Sequence, residues 1–222
     1  MVYGTAYVMI IPLLSLVLLR QAVGRCPDMS QYGQSRYVAN LVEGTLTPKT
    51  FIEFGCADGR ENSNTWMFEC LGWHGFCVEP IDIIRGREHG HRGVVCRPEE
   101  EGMMKAVMVA SLSGLHGVRP KLAPFGAHVR SVQQSQCVNL HTLRREHGIG
   151  EVGYMTVDTE GNEAELLQAY RPEQWARFVQ VECNDRAGCD TVHAVMKPNF
   201  TLVHFWNFRN GRGGGDMLWR RI

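Results

Sequence analysis

Two stretches of this sequence place acidic residues directly after apolar runs, where they could do chemistry. The first stretch, Gly55–Gly59 (GCADG), follows the apolar run Phe51–Phe54. The second stretch follows the run Val152–Val157 and supplies the carboxylates of Asp158, Glu160 and Glu163. Because glycine has no Cβ, the first stretch could bring the backbone close to a ligand. The second stretch could orient a reacting group or accept its proton.

The first stretch belongs to a predicted βαβ unit, from which nucleotide-binding sheets are built. We predict that Phe51–Phe54 is a buried strand and that Ser63–Thr65 begins a helix. A second strand, Gly75–Val78, ends at Glu79 and Pro80. The acid at the tip of this strand is therefore expected to lie beside the same crevice as the glycine turn.

The residues of this unit favour an adenosine ligand without phosphates. Glu79 stands twenty positions after Gly59, and a carboxylate there can accept hydrogen bonds from both hydroxyls of a ribose. The turn lacks the full G-x-G-x-x-G spacing of dinucleotide sites. Glu53 and Asp58 suit a sulfonium and an amino group, and they would repel phosphates. These features predict S-adenosylmethionine (SAM) as the cofactor.

We predict that the cofactor contacts residues of this unit at eight positions: Glu53, Gly55, Asp58, Gly59, Asn64, Thr65, Glu79 and Pro80. Alternatives stay open for several of them. The glycines could form a tight turn that binds no ligand, and Asn64 and Thr65 could only cap the following helix. Glu79 could be an acid that begins a helix.

Asp158 and Glu160 are the predicted catalytic residues. Asp158 follows a buried run, so it is expected at the carboxyl end of a strand, where open α/β sheets bind ligands. It could act as a base or orient the acceptor, while Glu160 could bind the acceptor or a divalent ion. Alternatively, Glu160 and Glu163 could stabilise a helix N-terminus. Glu182 and Asn184 could line the same cleft, and no metal site is predicted.

Three segments, in this order, resemble the FkbM-type family of SAM-dependent methyltransferases. They are Ser30–Gln34 (SQYGQ), the βαβ segment EFGCADGRENSNT with GWHGFCVEP, and Asp158–Glu163 (DTEGNE). The similarity extends from about Ser30 to Trp206. Cys56 departs from the family, where a small residue such as Gly or Ala is expected. The resemblance implies O-methylation of a hydroxyl, often on a sugar or another natural product.

The remaining pattern predicts an α/β fold, a Rossmann-like seven-stranded class I methyltransferase sheet with a terminal antiparallel hairpin. An amphipathic helix over Ser30–Leu46 would cover either the SAM crevice or the sheet edge. A loop over Gly114–Gly126 is expected to border the acceptor pocket. Further strands and helices are predicted at Val94–Cys96, Gln136–Leu140, His141–His147, Val152–Val157, Asn162–Tyr170, Phe178–Cys183, Phe200–Phe208 and Asp216–Arg221.

Composition limits the partners that the chain could have. The 222 residues fit one α/β domain with an appendage, and 23 basic residues balance 23 acidic ones. A nucleic-acid binder usually shows a basic stripe, so we expect no nucleic-acid partner. The predicted partner is a small-molecule or glycan acceptor.

The eight cysteines contain no C-x-x-C motif. We predict that Cys56, Cys77 and Cys183 are buried free thiols, because they fall within or beside apolar runs. If the domain is lumenal, other cysteines could pair, namely Cys26, Cys96, Cys137 and Cys189. His89, His91 and Cys96 suggest a metal site, but their spacing matches no zinc pattern.

The N-terminal segment carries no formal charge from Val2 to Leu19, and Arg20 and Arg25 follow it. We predict a membrane anchor or signal segment over residues 1–25 and a methyltransferase domain over residues 26–222. The preferred interpretation is a single-pass anchor, and thus a membrane partner and location. The alternatives are a cleaved signal peptide, which would make the protein secreted or lumenal, and a buried core helix.

Taken together, these features predict a SAM-dependent methyltransferase. A function of another class stays open, namely a non-catalytic SAM-fold module for binding or interaction. A Rossmann-type oxidoreductase is disfavoured, because the glycine spacing of the first turn does not suit a dinucleotide.

Overall fold

The computed structural model describes residues 26–111, 115–117, 131–208 and 213–222. Within these ranges the chain forms strands β1 (Thr50–Phe54), β2 (His74–Glu79), β3 (Gly90–Arg92), β4 (Val94–Val95), β5 (Met104–Ser111), β6 (Leu115–Gly117), β7 (Ser131–Val138), β8 (Val152–Val157), β9 (Ala176–Cys183), β10 (Phe200–Asn207) and β11 (Gly215–Arg221). The helices are α1 (Gln34–Val42), α2 (Trp66–Cys70), α3 (Leu140–Glu146), α4 (Glu163–Tyr170) and α5 (Arg186–Met196), with short 3₁₀ turns at Pro98–Glu100 and Pro172–Gln174.

The main sheet has seven strands in the order β10-β11-β9-β8-β1-β2-β3. Its strands are parallel from β9 through β3. The exceptions are β11, which pairs antiparallel to β9, and β10, which pairs antiparallel to β11. The predicted seven-stranded α/β sheet with a terminal antiparallel hairpin is therefore confirmed.

The central strands are apolar because both faces of the sheet are covered, as is usual for parallel sheets. All six residues of β8 are buried. One face packs in a core that includes residues of α3, α4 and α5. The other face packs in a second cluster with residues of α1 and α2. Side chains alternate along a strand, so the polar residues Glu53, Thr156 and Gln180 lie on this second face, paired in register on β1, β8 and β9.

The predicted strand Val94–Cys96 divides between two sheets. β3 occupies the edge of the main sheet beside β2, whereas β4 pairs with β7 in a second sheet of order β4-β7-β5-β6. Gly93 lies at the switch, where its N–H donates to the Glu79 carbonyl oxygen at 2.9 Å. A Cβ on Gly93 would come within 2.5 Å of Val138. The chain can leave the main sheet here because this position has no side chain.

All eight cysteines form disulfides, in the pairs Cys26–Cys70, Cys56–Cys77, Cys96–Cys137 and Cys183–Cys189. The prediction of free thiols at positions 56, 77 and 183 is therefore wrong. An apolar run shows that a cysteine is buried, but not whether another cysteine faces it. In the fold, Cys56 after β1 lies opposite Cys77 on the neighbouring strand, and the first turn of α5 brings Cys189 back to Cys183.

The predicted membrane location is wrong. In the ranges that the structure describes, no helix is long and apolar enough to cross a bilayer. The predicted anchor or signal segment, residues 1–25, lies outside those ranges. Most of the predicted loop Gly114–Gly126 also lies outside them, apart from the three residues of β6.

Candidate functional site

The candidate site lies at the carboxyl edge of the main sheet, where the predicted residues of both stretches meet. β1 is parallel to both β2 and β8, and β8 is parallel to β9. The turn after β1, the end of β2 and the residues after β8 therefore open on the same edge. A narrow crevice at this edge is lined by Phe54, Gly55, Val78, Pro80, Gly93, Val94, Val95, Asp158, Thr159 and Asn162.

The glycine turn is shaped by contacts within the protein. Gly55 has a φ of +79°, and a Cβ there would lie 1.9 Å from the backbone oxygen of Asp158. Gly59 has a φ of +87°, and a Cβ there would lie 2.6 Å from the side chain of Arg87. Both positions therefore require glycine even without a ligand. Close approach of a cofactor to this backbone stays a prediction.

Glu79 is buried at the tip of β2 and holds the glycine turn. Its Oε2 accepts a hydrogen bond from the Ala57 N–H at 3.0 Å, and its Oε1 accepts one from the Ile81 N–H at 3.4 Å. The Cys56–Cys77 disulfide joins the same turn to β2, one residue before Ala57 and two residues before Glu79. The structure thus places Glu79 and the turn side by side, as the sequence predicted.

Glu53 is also buried, and its carboxylate organises the loop that leads to α2. Its oxygens accept hydrogen bonds from Ser63 Oγ at 2.7 Å, Thr65 Oγ1 at 2.7 Å and the Asn64 N–H at 2.6 Å. The Arg87 guanidinium lies 3.5 Å from the same carboxylate. Glu53 therefore holds the loop that precedes α2 through Ser63, Asn64 and Thr65. The predicted contacts of Glu53 and Thr65 with a cofactor stay predictions.

Asp58 and Asn64 shape the surface of the turn. Asp58 Oδ1 accepts hydrogen bonds from the Arg60 and Glu61 N–H groups, both at 2.8 Å. The Asn64 backbone oxygen accepts a hydrogen bond from Ser35 Oγ at 3.0 Å, which docks α1 over this loop. Asn64 Oδ1 is buried and has no hydrogen-bond partner in the described part of the chain. Thr65 is the residue just before α2, the capping position of the alternative interpretation, but its side chain makes no capping hydrogen bond and its Oγ1 donates to Glu53 instead.

The second stretch joins an acidic cluster. Asp158, Glu160 and Glu182 each place a carboxylate oxygen within 4.8 Å of the others. Asn184 donates a hydrogen bond from Nδ2 to Glu160 Oε2 at 2.8 Å. Glu160 has a φ of +57°, an uncommon conformation for a residue with a side chain. These three carboxylates could accept hydrogen bonds from hydroxyls or hold a divalent cation, and the expectation of no metal stays untested.

Asp216 extends this cluster across a third strand. Val157 pairs with Val181, and Glu182 pairs with Asp216, so Asp158, Glu182 and Asp216 follow one another across β8, β9 and β11. Burial, followed by repulsion from Asp216, raises the pKa of Asp158 to about 7. Burial raises the pKa of Asp216 to about 6. Burial and repulsion from Asp158 raise the pKa of Glu182 well above its usual range.

Gln34 covers this row of carboxylates from α1. It is buried, and its Nε2 donates to Asp216 Oδ2 at 2.7 Å, while its Oε1 accepts from the Tyr32 N–H at 2.7 Å. The Tyr32 ring lies at the rim, 5.5 Å from the Phe208 ring. Sequence reasoning did not assign Gln34 or Asp216 to the site. Gln34 is the last residue of the SQYGQ segment, and its place in that segment was the one sequence signal that could have assigned it to the site. No local sequence pattern distinguishes Asp216.

Glu163 makes backbone contacts at the start of α4. Glu163 Oε1 accepts hydrogen bonds from the N–H groups of Thr159 at 3.1 Å and Gly161 at 2.7 Å. Glu163 thus stabilises the N-terminus of α4, as the alternative interpretation predicted. On β10, the His204 ring contacts the rings of Tyr37 and Trp206 at 4.8 and 4.4 Å, and those two rings contact each other at 5.3 Å.

No protein-family model matches the sequence, and no curated protein is similar to it at a significant level. Among solved structures, similar chains include an O-methyltransferase from Bacillus cereus in complex with SAH (TM-score 0.43, 12% identity, 94% of this chain and 90% of that chain). Another is the O-methyltransferase TomG from Streptomyces achromogenes, involved in tomaymycin synthesis and solved with SAM (TM-score 0.42, 16% identity, 93% and 89%).

A third similar structure is a putative ribosomal RNA methyltransferase from Plasmodium falciparum (TM-score 0.45, 10% identity, 87% of this chain and 97% of that chain). All three likenesses concern the overall path of the chain. The assignment of a function therefore rests on the residues of the site itself.

Proposed function

We propose that this protein is a SAM-dependent methyltransferase of the FkbM type that methylates a hydroxyl group. The observation that carries the proposal is the shared crevice: the glycine turn, Pro80 beside Glu79, and Asp158 all border it. A residue suited to a ribose and a residue suited to an acceptor proton thus lie on one sheet edge.

The lining of the crevice fits SAM better than a phosphorylated ligand. Its described lining residues are mostly apolar or small, and they include the Asp158 carboxylate but no lysine or arginine. A negative charge favours a sulfonium or an ammonium and disfavours phosphates. We infer that Glu79 binds the ribose and that the glycine turn lies against the methionine moiety. Bound SAM would supply an activated methyl group.

The residues of the chain would position the acceptor and receive its proton. Proximity and orientation are worth up to about 7–11 kcal/mol of a barrier, so alignment is the main contribution expected from the protein. Asp158 would accept the hydroxyl proton as the new bond to carbon forms. Its pKa of about 7 suits a general base at neutral pH. Glu160, held by Asn184, would accept a hydrogen bond from a neighbouring hydroxyl.

The proposed acceptor is a sugar or another small molecule with several hydroxyls. Asp158, Glu160, Glu182 and Asp216 offer many acceptor oxygens, and carboxylates bind hydroxyl groups as hydrogen-bond acceptors. A mass-spectrometric search of a metabolite or glycan extract for products that gain one methyl group would identify the acceptor. SAM binding without any methylated product would favour the non-catalytic module instead.

The cofactor assignment is tested by calorimetric titration of Glu79→Gln with SAM. We expect binding about ten- to a hundredfold weaker, as for the loss of a charge-assisted hydrogen bond worth about 1.5–3 kcal/mol. Glu88→Gln is the matched control, because Glu88 is 76% exposed and lies outside the crevice. Unchanged SAM affinity in a folded Glu79→Gln protein would remove Glu79 from the site. Binding of NAD in place of SAM would indicate an oxidoreductase.

A further inference from the structure

Arg87 lies in the loop between β2 and β3, and this loop buries its charged side chain completely. The side chain of Arg87 is 0% exposed. Removing a charged guanidinium from water is costly unless opposite charges and hydrogen-bond acceptors surround it. The groups that surround Arg87 therefore indicate what its burial accomplishes.

The guanidinium binds the segment that runs from the glycine turn to the start of α2. Its Nη1 donates hydrogen bonds to the Gly59 carbonyl oxygen at 3.1 Å and to Ser63 Oγ at 3.0 Å. Its Nη2 donates to Thr65 Oγ1 at 2.8 Å. These three acceptors are spread over the whole segment. A single side chain therefore fixes the end of the glycine turn relative to the start of the helix.

Two carboxylates and an aromatic ring complete the surroundings of the Arg87 guanidinium. Its Nε lies 2.5 Å from Glu69 Oε2 on α2, and its Nη1 lies 3.5 Å from Glu53 Oε2 on β1. Its Cζ lies 5.2 Å from the centroid of the Phe51 ring. A guanidinium presents five N–H donors in one rigid plane, whereas a lysine ammonium is a compact charge with three donors. Arg87 can therefore hold several elements in one geometry.

The backbone of the β2–β3 loop follows the same turn. The Arg85 N–H donates to the Asp58 carbonyl oxygen at 2.6 Å. A Cβ on Gly59 would lie 2.6 Å from Arg87 Cγ and 3.2 Å from the Arg85 carbonyl oxygen, so the loop and the turn are in direct contact. The loop begins after Glu79, whose carboxylate accepts a hydrogen bond from the start of the turn. The turn is thus held by Glu79 near its start and by Arg87 at its end.

We propose that Arg87 is a positioning residue for the cofactor, because it fixes the glycine turn against the β2–β3 loop in the geometry that accepts SAM. This inference rests on the proposed function, since it takes the crevice as the SAM site. Arg87 is not among the described residues that line the crevice, so it acts through the turn and not through contact with SAM. Its charge faces Glu53 and Glu69. Its loss should therefore affect SAM and the uncharged thioether S-adenosylhomocysteine (SAH) equally.

The test is calorimetric titration of the full-length protein with SAM and with SAH, in the unmodified form and as Arg87→Lys and Arg87→Met. We expect Arg87→Lys to bind both ligands about tenfold more weakly, because lysine keeps the charge and part of the hydrogen bonding. Arg87→Met should bind both about a hundredfold more weakly. A role in folding alone would lower the number of binding-competent molecules and leave the Kd unchanged, so the measured stoichiometry and Kd separate the two roles.

Arg85→Met is the matched control, because Arg85 is an exposed arginine of the same loop whose guanidinium donates to the Ile84 carbonyl oxygen. It should bind SAM as the unmodified protein does. Circular dichroism identifies the folded variants, and Arg87→Lys alone decides if Arg87→Met does not fold.

The outcomes distinguish this inference from the proposed function. Absence of SAM binding by the unmodified protein would overturn both. SAM binding by the unmodified protein, together with an unchanged Kd in folded Arg87→Lys and Arg87→Met, would overturn the role of Arg87 and leave the proposed function in place. A change confined to SAM, with SAH binding unaltered, would show an effect of charge and would also overturn the positioning role.

Discussion

At the residue scale, the proposed chemistry depends most on Asp158, the proposed general base. It lies at the end of β8, contacts the glycine turn through its backbone, and shares its carboxylate cluster with Glu160 and Glu182. Its environment combines burial with neighbouring negative charge, and both disfavour the ionised form. A carboxyl group in this position can take a proton near neutral pH, which an ordinary aspartate cannot do effectively.

Asp158→Asn should lower kcat by about 10²–10⁴-fold, the usual contribution of general base catalysis. SAM affinity should change little, because the proposed ribose contact lies on β2. If the proposed methyl transfer is correct, kcat of the unmodified protein should fall as the pH drops below about 7, where Asp158 becomes protonated. The measurement is kcat against pH with the acceptor that the mass-spectrometric search finds. Asp190→Asn, an exposed change on α5, is the control, and full activity in Asp158→Asn would exclude the residue as the base.

Asp216 provides a test of the carboxylate row through stability. Its pKa rises from 3.8 to about 6 on folding, so the folded state holds a proton that the unfolded chain releases. The resulting stability is present below pH 3.8 and is lost as the pH rises through about 6. Asp216→Asn cannot ionise and still accepts from Gln34, so it should be more stable than the unmodified protein at pH 8.

Asp216→Asn should raise the free energy of unfolding by about 1–3 kcal/mol at pH 8 and by close to none at pH 4. This range follows from about 1.4 kcal/mol per unit of pKa shift. Urea denaturation at both pH values measures it. Equal differences at the two pH values would show that the change acts through packing and not through charge.

At the element scale, the site depends on turns that allow neighbouring strand ends to touch. Gly55 lets the turn after β1 lie against the backbone of Asp158, and Gly93 lets the chain pass from the main sheet to the second sheet. The Glu53 carboxylate then fixes the loop before α2 by three hydrogen bonds. These contacts hold the predicted cofactor residues Gly55, Asn64 and Thr65 in place.

Gly55→Ala should destabilise the fold by more than about 2 kcal/mol and weaken SAM binding. The new Cβ would lie 1.9 Å from the Asp158 backbone oxygen, so the strand ends must separate. Gly44→Ala is the control, because Gly44 also has a positive φ, +72°, but a Cβ there meets nothing within 4 Å. Gly44→Ala should cost only the left-handed strain of about 1–2 kcal/mol. If Gly55→Ala and Gly44→Ala lowered the free energy of unfolding by similar amounts, the positive φ of Gly55 would explain its requirement for glycine without the contact with Asp158.

At the scale of the whole molecule, three of the four disulfides join segments that are more than 20 positions apart in sequence. Cys26–Cys70 ties the chain before α1 to the end of α2, and Cys96–Cys137 joins the segments after β4 and within β7. Disulfides of this kind persist under oxidising conditions. Stability of the molecule is therefore expected to depend on the redox state in which it folds.

The length of the loop that each disulfide closes predicts how much that disulfide contributes to the free energy of unfolding. Chain entropy gives about 4 kcal/mol for Cys96–Cys137, with a separation of 41 residues, and about 2 kcal/mol for Cys183–Cys189, with a separation of 6. Replacing both cysteines of a pair by alanine and measuring urea unfolding tests both values. A larger loss for the short pair than for the long pair would contradict the entropic explanation.

The sequence by itself determined the βαβ unit, the acids at strand ends, the terminal hairpin and most strand positions. Those features follow from side-chain periodicity and turn residues, which act over a few positions. For this reason Val152–Val157 was predicted with its observed bounds, and Asp158 and Glu79 were placed at one sheet edge. The helix α5 was not predicted.

Only the tertiary structure decided which distant side chains meet. Gln34 and Asp216 are 182 positions apart, and no local pattern relates them. The same holds for Arg87 with Thr65, and for the choice of partner at each cysteine. The position of Val94 and Val95 in a second sheet was likewise set by the contact of Gly93 with Val138. Such pairings depend on the path of the whole chain, because side chains that are distant in sequence come into contact only once the strands have assembled into the sheet.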